Sequence, residues 1–214
     1  MHMQTKRFAD MTCADFSAVL ASGSPTPGGG GAAAIAGALG VALANMVGSL
    51  AEGKEKYAEV AGELASLGER AGELRTRLLE LADEDARAFE PLSRAYAMPT
   101  TTEGERAAKQ VEKERCLARA AEPPLAIMEA AGEGIELCAR YAEIGPALAV
   151  SDAGCGAALC LSALEAGFLN VAVNTKGMAD RPRADEIDSR ARELLDAGRE
   201  RAGEVLEYVC GKLS

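Results

Sequence analysis

Hydrophobic positions recur every three or four residues along most of the chain, which is the spacing of an amphipathic α-helix. The longest pattern runs from Lys54 to Ala97, and shorter ones cover 12–21 and 183–212. Two more helical patterns lie between residues 97 and 183. One begins at Thr102, and the other passes through Ile127 and Tyr141. No strand alternation is sustained, and the stretch "NVAVN" is assigned to helix or turn. The chain is therefore predicted to be all-α, one domain over 1–214 built as a bundle of about six to eight helices with long central helices.

Two stretches rich in small residues carry almost no charge, residues 28–51 and residues 145–177. Residues 28–51 carry none, and small residues recur there every four positions, at Ala36, Gly40, Ala44 and Gly48. A membrane span is disfavoured because the run is rich in Ala and Gly and its flanks lack aromatic or basic anchors. The pattern instead predicts a central, closely packed helix. Together with the long apolar stripe it offers more apolar surface than one bundle needs, so a homodimer is expected.

Composition limits the chemistry. The net charge of −10 argues against a nucleic-acid surface, which would need clustered Lys and Arg. The sequence has one histidine, His2, so a Ser/His/Asp triad and a zinc deaminase site are both excluded. Six scattered cysteines without a C-x-x-C pair indicate reduced thiols and a cytoplasmic protein. Any catalysis must use Asp, Glu, Lys, Tyr, Cys or backbone groups.

One acidic residue interrupts the apolar stripe of the longest predicted helix. Asp85 occupies a position whose neighbours in the stripe include Leu78, Leu81 and Leu92, and Pro91 follows it. A carboxylate in apolar surroundings costs several kcal/mol unless it is paired. Two interpretations remain open: Asp85 pairs with the end of a neighbouring helix, or it lines a functional pocket beside a helix kink at Pro91.

The stretch "SPTPGGGGAAAIAGALG", from Ser24 to Gly40, joins a bare glycine loop to the first uncharged helix. Backbone N–H groups at such a helix N-terminus attract anions. The glycine run matches neither a Walker loop nor a dinucleotide-binding loop. Taken alone, it is equally consistent with a flexible turn.

Six short motifs occur in order, and together they resemble the formiminotransferase-cyclodeaminase family, in its cyclodeaminase domain and its stand-alone methenyltetrahydrofolate cyclohydrolases. They are "SPTPGGGGAAAIAGALG", "GKEKY", "DEDARAF", "AYAMP", "SDAGCGAAL" and "NVAVN". The resemblance covers nearly the whole chain and implies an all-helical, homodimeric, metal-free protein whose substrate is a tetrahydrofolate derivative. Two places depart from the family pattern: Gly31 stands where a Ser is common, and Pro146 and Leu148 replace the usual Asn residues.

The resemblance implies that 5-formiminotetrahydrofolate is converted to 5,10-methenyltetrahydrofolate and ammonia. Cyclohydrolase activity on the methenyl compound is the alternative, and a non-catalytic folate-binding or oligomerisation bundle is an alternative of another class. Asp85 is expected to transfer the proton, with Asp152 as second candidate unless it is a helix N-cap. The expected substrate-binding residues are Ser24, Pro25, Gly28, Gly29, Gly30, Lys56, Tyr96, Asn170 and Asn174. Among them, Lys56 is expected near the anionic folate tail, and Asn170 and Asn174 at the pterin edge.

Overall fold

Seven α-helices form the part of the chain that the computed structural model describes, residues 7–214. They are α1 (Cys13–Leu20), α2 (Gly29–Ser49), α3 (Ala61–Tyr96), α4 (Glu103–Ala120), α5 (Glu122–Ile144), α6 (Val150–Lys176) and α7 (Arg181–Leu213). Short 3₁₀ helices cover Phe8–Asp10, Glu55–Val60 and Ala147–Ala149. No strand occurs within residues 7–214, so the predicted all-α class is confirmed. His2 lies outside the described residues.

The predicted helix starts are confirmed where capping side chains specify them. The Thr12 hydroxyl accepts a hydrogen bond from the backbone N–H of Asp15, at 3.1 Å. At the start of α4, Thr102 and Glu105 form a complete capping box. Each cap satisfies backbone N–H groups that have no acceptor inside the helix.

Two predicted boundaries are wrong. The long helix was expected from Lys54, but Lys54 is extended and a 3₁₀ helix precedes α3, which begins only at Ala61. Asp152 does not cap α6, because the helix begins at Val150 and the Asp152 side chain lies in its first turn. In contrast, "NVAVN" lies inside α6, as helix.

Glycines set the close packing of α2 in the centre of the bundle. A Cβ on Gly40 would lie 2.6 Å from the Cys160 sulfur, and one on Gly156 would lie 2.8 Å from the Gly40 carbonyl oxygen. A Cβ on Gly48 would collide with the buried ring of Tyr141. The small-residue stripe of α2 therefore packs against helices of its own chain, as the pattern predicted for a central helix.

The helices α2 and α6 run antiparallel. Gly29 lies beside Asn170 near the C-terminus of α6, whereas Gly40 contacts Gly156 nearer its N-terminus. We call the end with Gly29 and Asn170 the cleft end, and the end with the C-terminus of α2 and the N-terminus of α6 the far end. The 21 residues of α2 separate the two ends by about 30 Å.

The outward faces of these two helices remain apolar. Gly29–Ser49 and Ala147–Lys176 have the length and hydropathy of membrane spans, and about half of each apolar window, 56% and 50%, is buried inside the chain. The exposed remainder includes Leu39 and Met46 on α2 and Leu169 and Val173 on α6. The exposed apolar surface thus lies on a different face of α2 from the glycine stripe.

Candidate active site

A cleft of about 180 Å³ opens at the cleft end, where four segments distant in the sequence meet. The loop before α2, the middle of α3, the end of α4 and the end of α6 each contribute side chains or backbone. Its lining residues are Pro25, Thr26, Gly28, Gly29, Asp85, Phe89, Ala120, Asn170, Val173 and Asn174. The lining is mainly apolar with a few polar groups, which is typical of a small-molecule site.

Asp85 lies directly against the first turn of α2. A Cβ on Gly30 would collide with its carboxylate, so this close approach requires glycine at position 30. Burial raises the pKa of Asp85 to about 6, although the backbone N–H of Gly31 favours the charged form and lowers the pKa in part. Among residues 7–214 no ion pair neutralises Asp85, and neither Lys nor Arg lines the cleft.

The position of Asp85 agrees with parts of both sequence interpretations, while a functional role of the cleft remains a prediction. The carboxylate faces the N-terminus of a neighbouring helix, and it also lines a cleft. A carboxyl group with a pKa near neutrality can accept a proton in one step and return it in the next. The expected kink is not needed for this, and α3 continues through Pro91 to Tyr96.

Two amide side chains on α6 complete the polar part of the cleft. The Asn170 amide nitrogen donates to the Ala166 carbonyl at 2.8 Å, and that of Asn174 donates to the carbonyls of Ala120 and Asn170, each at 2.9 Å. These bonds fix both amide groups by their nitrogens. Their side-chain oxygens remain as acceptors for a ligand that presents N–H groups.

The structure brings together most of the residues predicted for the site. Pro25, Gly28, Gly29, Asp85, Asn170 and Asn174 line the cleft, and Gly30 lies beneath the Asp85 carboxylate. Their substrate-binding and catalytic roles remain predictions.

Four predicted residues do not line this cleft. Lys56 and Asp152 belong to the far end, where Lys56 is exposed over the Tyr57 ring and Asp152 is in the first turn of α6. Tyr96, at the end of α3, is 51% exposed, and its carbonyl accepts a hydrogen bond from Lys109. Ser24 is exposed, and its backbone N–H donates to the Ser22 hydroxyl. We therefore leave these four out of the proposed site.

Sequence reasoning missed four lining residues: Thr26, Phe89, Ala120 and Val173. Phe89 could have been found, because it follows Asp85 by one helical turn and so lies on the same face of α3. Ala120 and Val173 carry no such signal, since they reach the cleft only through the packing of α4 and α6.

Of the two departures from the family pattern, Gly31 lies at the cleft, where its backbone N–H contacts Asp85, whereas the other departure lies away from it. Pro146 caps the 3₁₀ helix before α6, and Leu148 in that helix is 99% exposed. Both belong to the far end. Neither Pro146 nor Leu148 lines the cleft of its own chain.

Comparison with known proteins gives concordant results. The sequence model of the family described as "Formiminotransferase-cyclodeaminase" matches residues 12–193. A protein of Methylorubrum extorquens named "Methenyltetrahydrofolate cyclohydrolase" is 42% identical over 175 residues, which cover 82% of this chain and 83% of that protein.

Two further proteins extend the comparison. The mouse "Formimidoyltransferase-cyclodeaminase" is 28% identical over 92% of this chain, which spans only 36% of that longer protein. A crystal structure of formiminotetrahydrofolate cyclodeaminase from Thermotoga maritima superposes with a TM-score of 0.86 at 26% identity, covering 96% of this chain and 99% of that one. The match of the family model over most of the chain confirms the resemblance seen in the motifs: the chain belongs to the formiminotransferase-cyclodeaminase family.

Proposed function

We propose that this chain is a folate-dependent one-carbon enzyme that hydrolyses 5,10-methenyltetrahydrofolate, with Asp85 as the group that transfers the proton. The observation that carries the proposal is a carboxyl group with a pKa of about 6 in a cleft without a countercharge. The methenyl group carries a positive charge shared between N5 and N10. Its binding would supply the charge partner that Asp85 lacks inside the chain.

The pterin ring provides a partner for the two amide oxygens. Its 2-amino group and ring N–H groups are hydrogen-bond donors, and Asn170 and Asn174 present acceptors whose orientation is fixed by the bonds of their nitrogens. Phe89 and Val173 provide apolar surface for the ring. This arrangement supports a fixed orientation of the reacting carbon near Asp85, and orientation can supply much of the rate.

Hydrolysis then needs one proton to move twice. A water oxygen attacks the methenyl carbon while the Asp85 carboxylate takes one of the water protons, which leaves a neutral adduct. Asp85 next returns the proton to N5 as the bond between N5 and the carbon breaks, and the second water proton, on the hydroxyl group of the adduct, is released to solvent as the formyl carbonyl forms. The product is 10-formyltetrahydrofolate, and Asp85 is regenerated as the carboxylate.

Cyclodeamination is the second candidate, and the match to the Thermotoga structure along both whole chains favours it. In that reaction N10 of 5-formiminotetrahydrofolate attacks the formimino carbon. The formimino group reacts in its protonated form, and Asp85 would carry the proton of N10 to the resulting amino group, which then leaves as ammonia. The 42% identity to the protein named as a cyclohydrolase, against 28% to the mouse protein, leads us to place hydrolysis first.

We also propose that the chain forms a homodimer through the exposed faces of α2 and α6. Leu39 and Met46 are apolar and accessible on one helix, and Leu169 on the other. A two-fold contact places one surface against its own copy, which suits a face without charges. Light scattering at micromolar concentration should give twice the chain mass of 22.1 kDa. A monomeric mass at that concentration would contradict the proposal.

The proposed reaction is tested by supplying both substrates to the purified protein. The near-ultraviolet absorbance of 5,10-methenyltetrahydrofolate should decay faster than in buffer alone, with formation of 10-formyltetrahydrofolate. With 5-formiminotetrahydrofolate, ammonia release accompanied by a rise of the same absorbance would favour cyclodeamination instead. Binding of both compounds without turnover of either would favour a non-catalytic folate-binding protein.

A further inference from the structure

The cleft is too small for a complete folate. At about 180 Å³ it lies below the usual range of small-molecule sites, roughly 300–1,000 Å³. A folate consists of a pterin, a p-aminobenzoyl group and at least one glutamate. If the pterin fills the cleft, as the proposed function requires, the remaining two parts must lie in adjoining space.

A groove of about 460 Å³ adjoins the cleft on one side. Pro25, Thr26 and Phe89 line both spaces, so the groove and the cleft share part of their walls and lie next to each other. From Phe89 the groove follows α3 towards its C-terminus, past Ser93. Its other wall is formed by residues Arg7 and Phe8, which pack beside α3.

Most charged groups of this groove are already engaged. Arg94 pairs with Glu90 at 2.6 Å, and Arg7 pairs with Asp10 at 3.0 Å. The Asp83 carboxylate accepts a hydrogen bond from the backbone N–H of Phe8, at 2.9 Å. Among the charged residues that line the groove, one side chain takes part in none of these contacts.

Arg87 is exposed and has no ion pair or side-chain hydrogen bond with any residue of 7–214. It lies in the part of the groove formed by α3, two residues from both Asp85 and Phe89. A free guanidinium presents parallel N–H groups that match the two oxygens of a carboxylate.

We propose that the groove binds the p-aminobenzoyl-glutamate tail of the folate and that Arg87 pairs with a glutamate carboxylate. The inference rests on the proposed function, because it assumes a pterin in the cleft. The p-aminobenzoyl ring would pass Phe89 at the junction of the two spaces. Arg87 thus takes the role that sequence reasoning gave to Lys56, which lies at the far end.

The test compares a substrate that has the tail carboxylates with one that lacks them. Wild type, Arg87→Gln and Arg75→Gln are assayed with 5,10-methenyltetrahydrofolate and with 5,10-methenyltetrahydropteroate, which ends at the p-aminobenzoate. Arg75 is the matched control, because it is also on α3, exposed and free of ion pairs, about 18 Å from Arg87 along the helix. Dissociation constants of 5-formyltetrahydrofolate and 5-formyltetrahydropteroate are measured for the same proteins.

We expect Arg87→Gln to raise KM and Kd for the folate compounds about tenfold, since a charge-assisted bidentate contact is lost. The kcat value should change less than twofold, and values for the pteroate compounds should stay as in wild type. Arg75→Gln should behave as wild type throughout.

Two results overturn the inference while leaving the proposed function in place. In one, Arg87→Gln and Arg75→Gln bind the folate compound equally well. In the other, Arg87→Gln weakens folate and pteroate to the same extent, so that the tail is not involved. If wild type neither binds nor converts any of the compounds, the proposed function itself fails, and the inference fails with it.

Discussion

The cleft end and the far end of the α2–α6 pair differ in cavity volume and in the burial of their titratable groups, and the larger cavity is not the one with the buried carboxyl group. The far end holds the larger cavity, about 600 Å³ against about 180 Å³. Its ionisable lining residues Glu52, Lys54 and Glu55 are exposed, whereas the smaller cleft contains a partly buried carboxyl group facing a helix N-terminus. We therefore place the proposed chemistry by the surroundings of a titratable group rather than by the size of a cavity.

The largest expected effect comes from removing the carboxylate at the cleft end. Asp85→Asn keeps the shape but cannot relay a proton, so kcat should fall by about 10²–10⁴-fold, with little change in folate binding. The measurement is turnover of both methenyl- and formimino-tetrahydrofolate, together with the Kd of 5-formyltetrahydrofolate.

The stability of the same variant separates catalysis from folding. The pKa of Asp85 is about 6 in the fold against 3.8 for an unperturbed carboxyl, so the fold favours the protonated form. The free energy of unfolding should therefore fall as the pH rises through that interval and Asp85 ionises. Asp85→Asn should therefore be more stable than wild type by about 1–3 kcal/mol at pH 7.5, with a smaller difference at pH 4. Urea unfolding of both proteins at the two pH values measures this difference in the free energy of unfolding. An active variant with reduced stability would assign Asp85 a structural role.

A smaller loss is expected from displacing the carboxylate without removing it. Gly30→Ala adds a Cβ that would collide with Asp85, so the carboxylate must move, and turnover should fall by about 10–100-fold. Gly132→Ala is the matched control, because a Cβ at this helical glycine would meet nothing within 4 Å. Equal turnover in the two variants would show that the contact between Gly30 and Asp85 is unimportant for the reaction.

A still smaller effect should follow from loss of one amide acceptor. Asn170→Ala removes the proposed partner of a pterin N–H, and KM should rise about five- to tenfold with kcat within about threefold of wild type. Ser162→Ala controls for the change to α6, because Ser162 also donates to the carbonyl four residues earlier, at 2.9 Å. If both variants raise KM alike, the amide oxygen does not contact the substrate.

The smallest effect is expected at the far end. Asp152→Asn should leave turnover within about threefold of wild type, since Asp152 is about 27 Å from Asn170 along α6. A loss as large as that of Asp85→Asn would break the distinction between the two ends. Restored activity on mixing the two variants would then show that the far end of one subunit completes the cleft of its partner.

Local patterns predicted the helices of this chain but not the grouping of their motifs. The apolar stripe of α3 and the capping box at Thr102 depend on residues close together in the sequence, so these helices could be predicted. Which motifs meet depends on the antiparallel packing of α2 and α6, which joins Gly29 to Asn170 and separates both from Lys56. No spacing in the sequence encodes that arrangement.

Asp85 shows what sequence can find within a site. A carboxylate in an apolar stripe interrupts the helical pattern, and this makes it recognisable from the sequence as a candidate functional residue. Val173 also lines the cleft but is one apolar residue among many in α6. Arg87, for which we propose a role in binding the folate tail, carries no signal in the sequence, because its lack of an ion-pair partner is visible only in the packed structure.

The pH dependence of kcat/KM for the methenyl substrate, compared between wild type and Asp85→Asn, tests the role of Asp85 most directly. The carboxylate must be ionised to take a proton from water, so wild-type kcat/KM, corrected for the rate in buffer, should rise with pH through an inflection near 6. In Asp85→Asn the residual rate should lose that inflection. An inflection of the same position and size in the variant would contradict the assignment of proton transfer to Asp85.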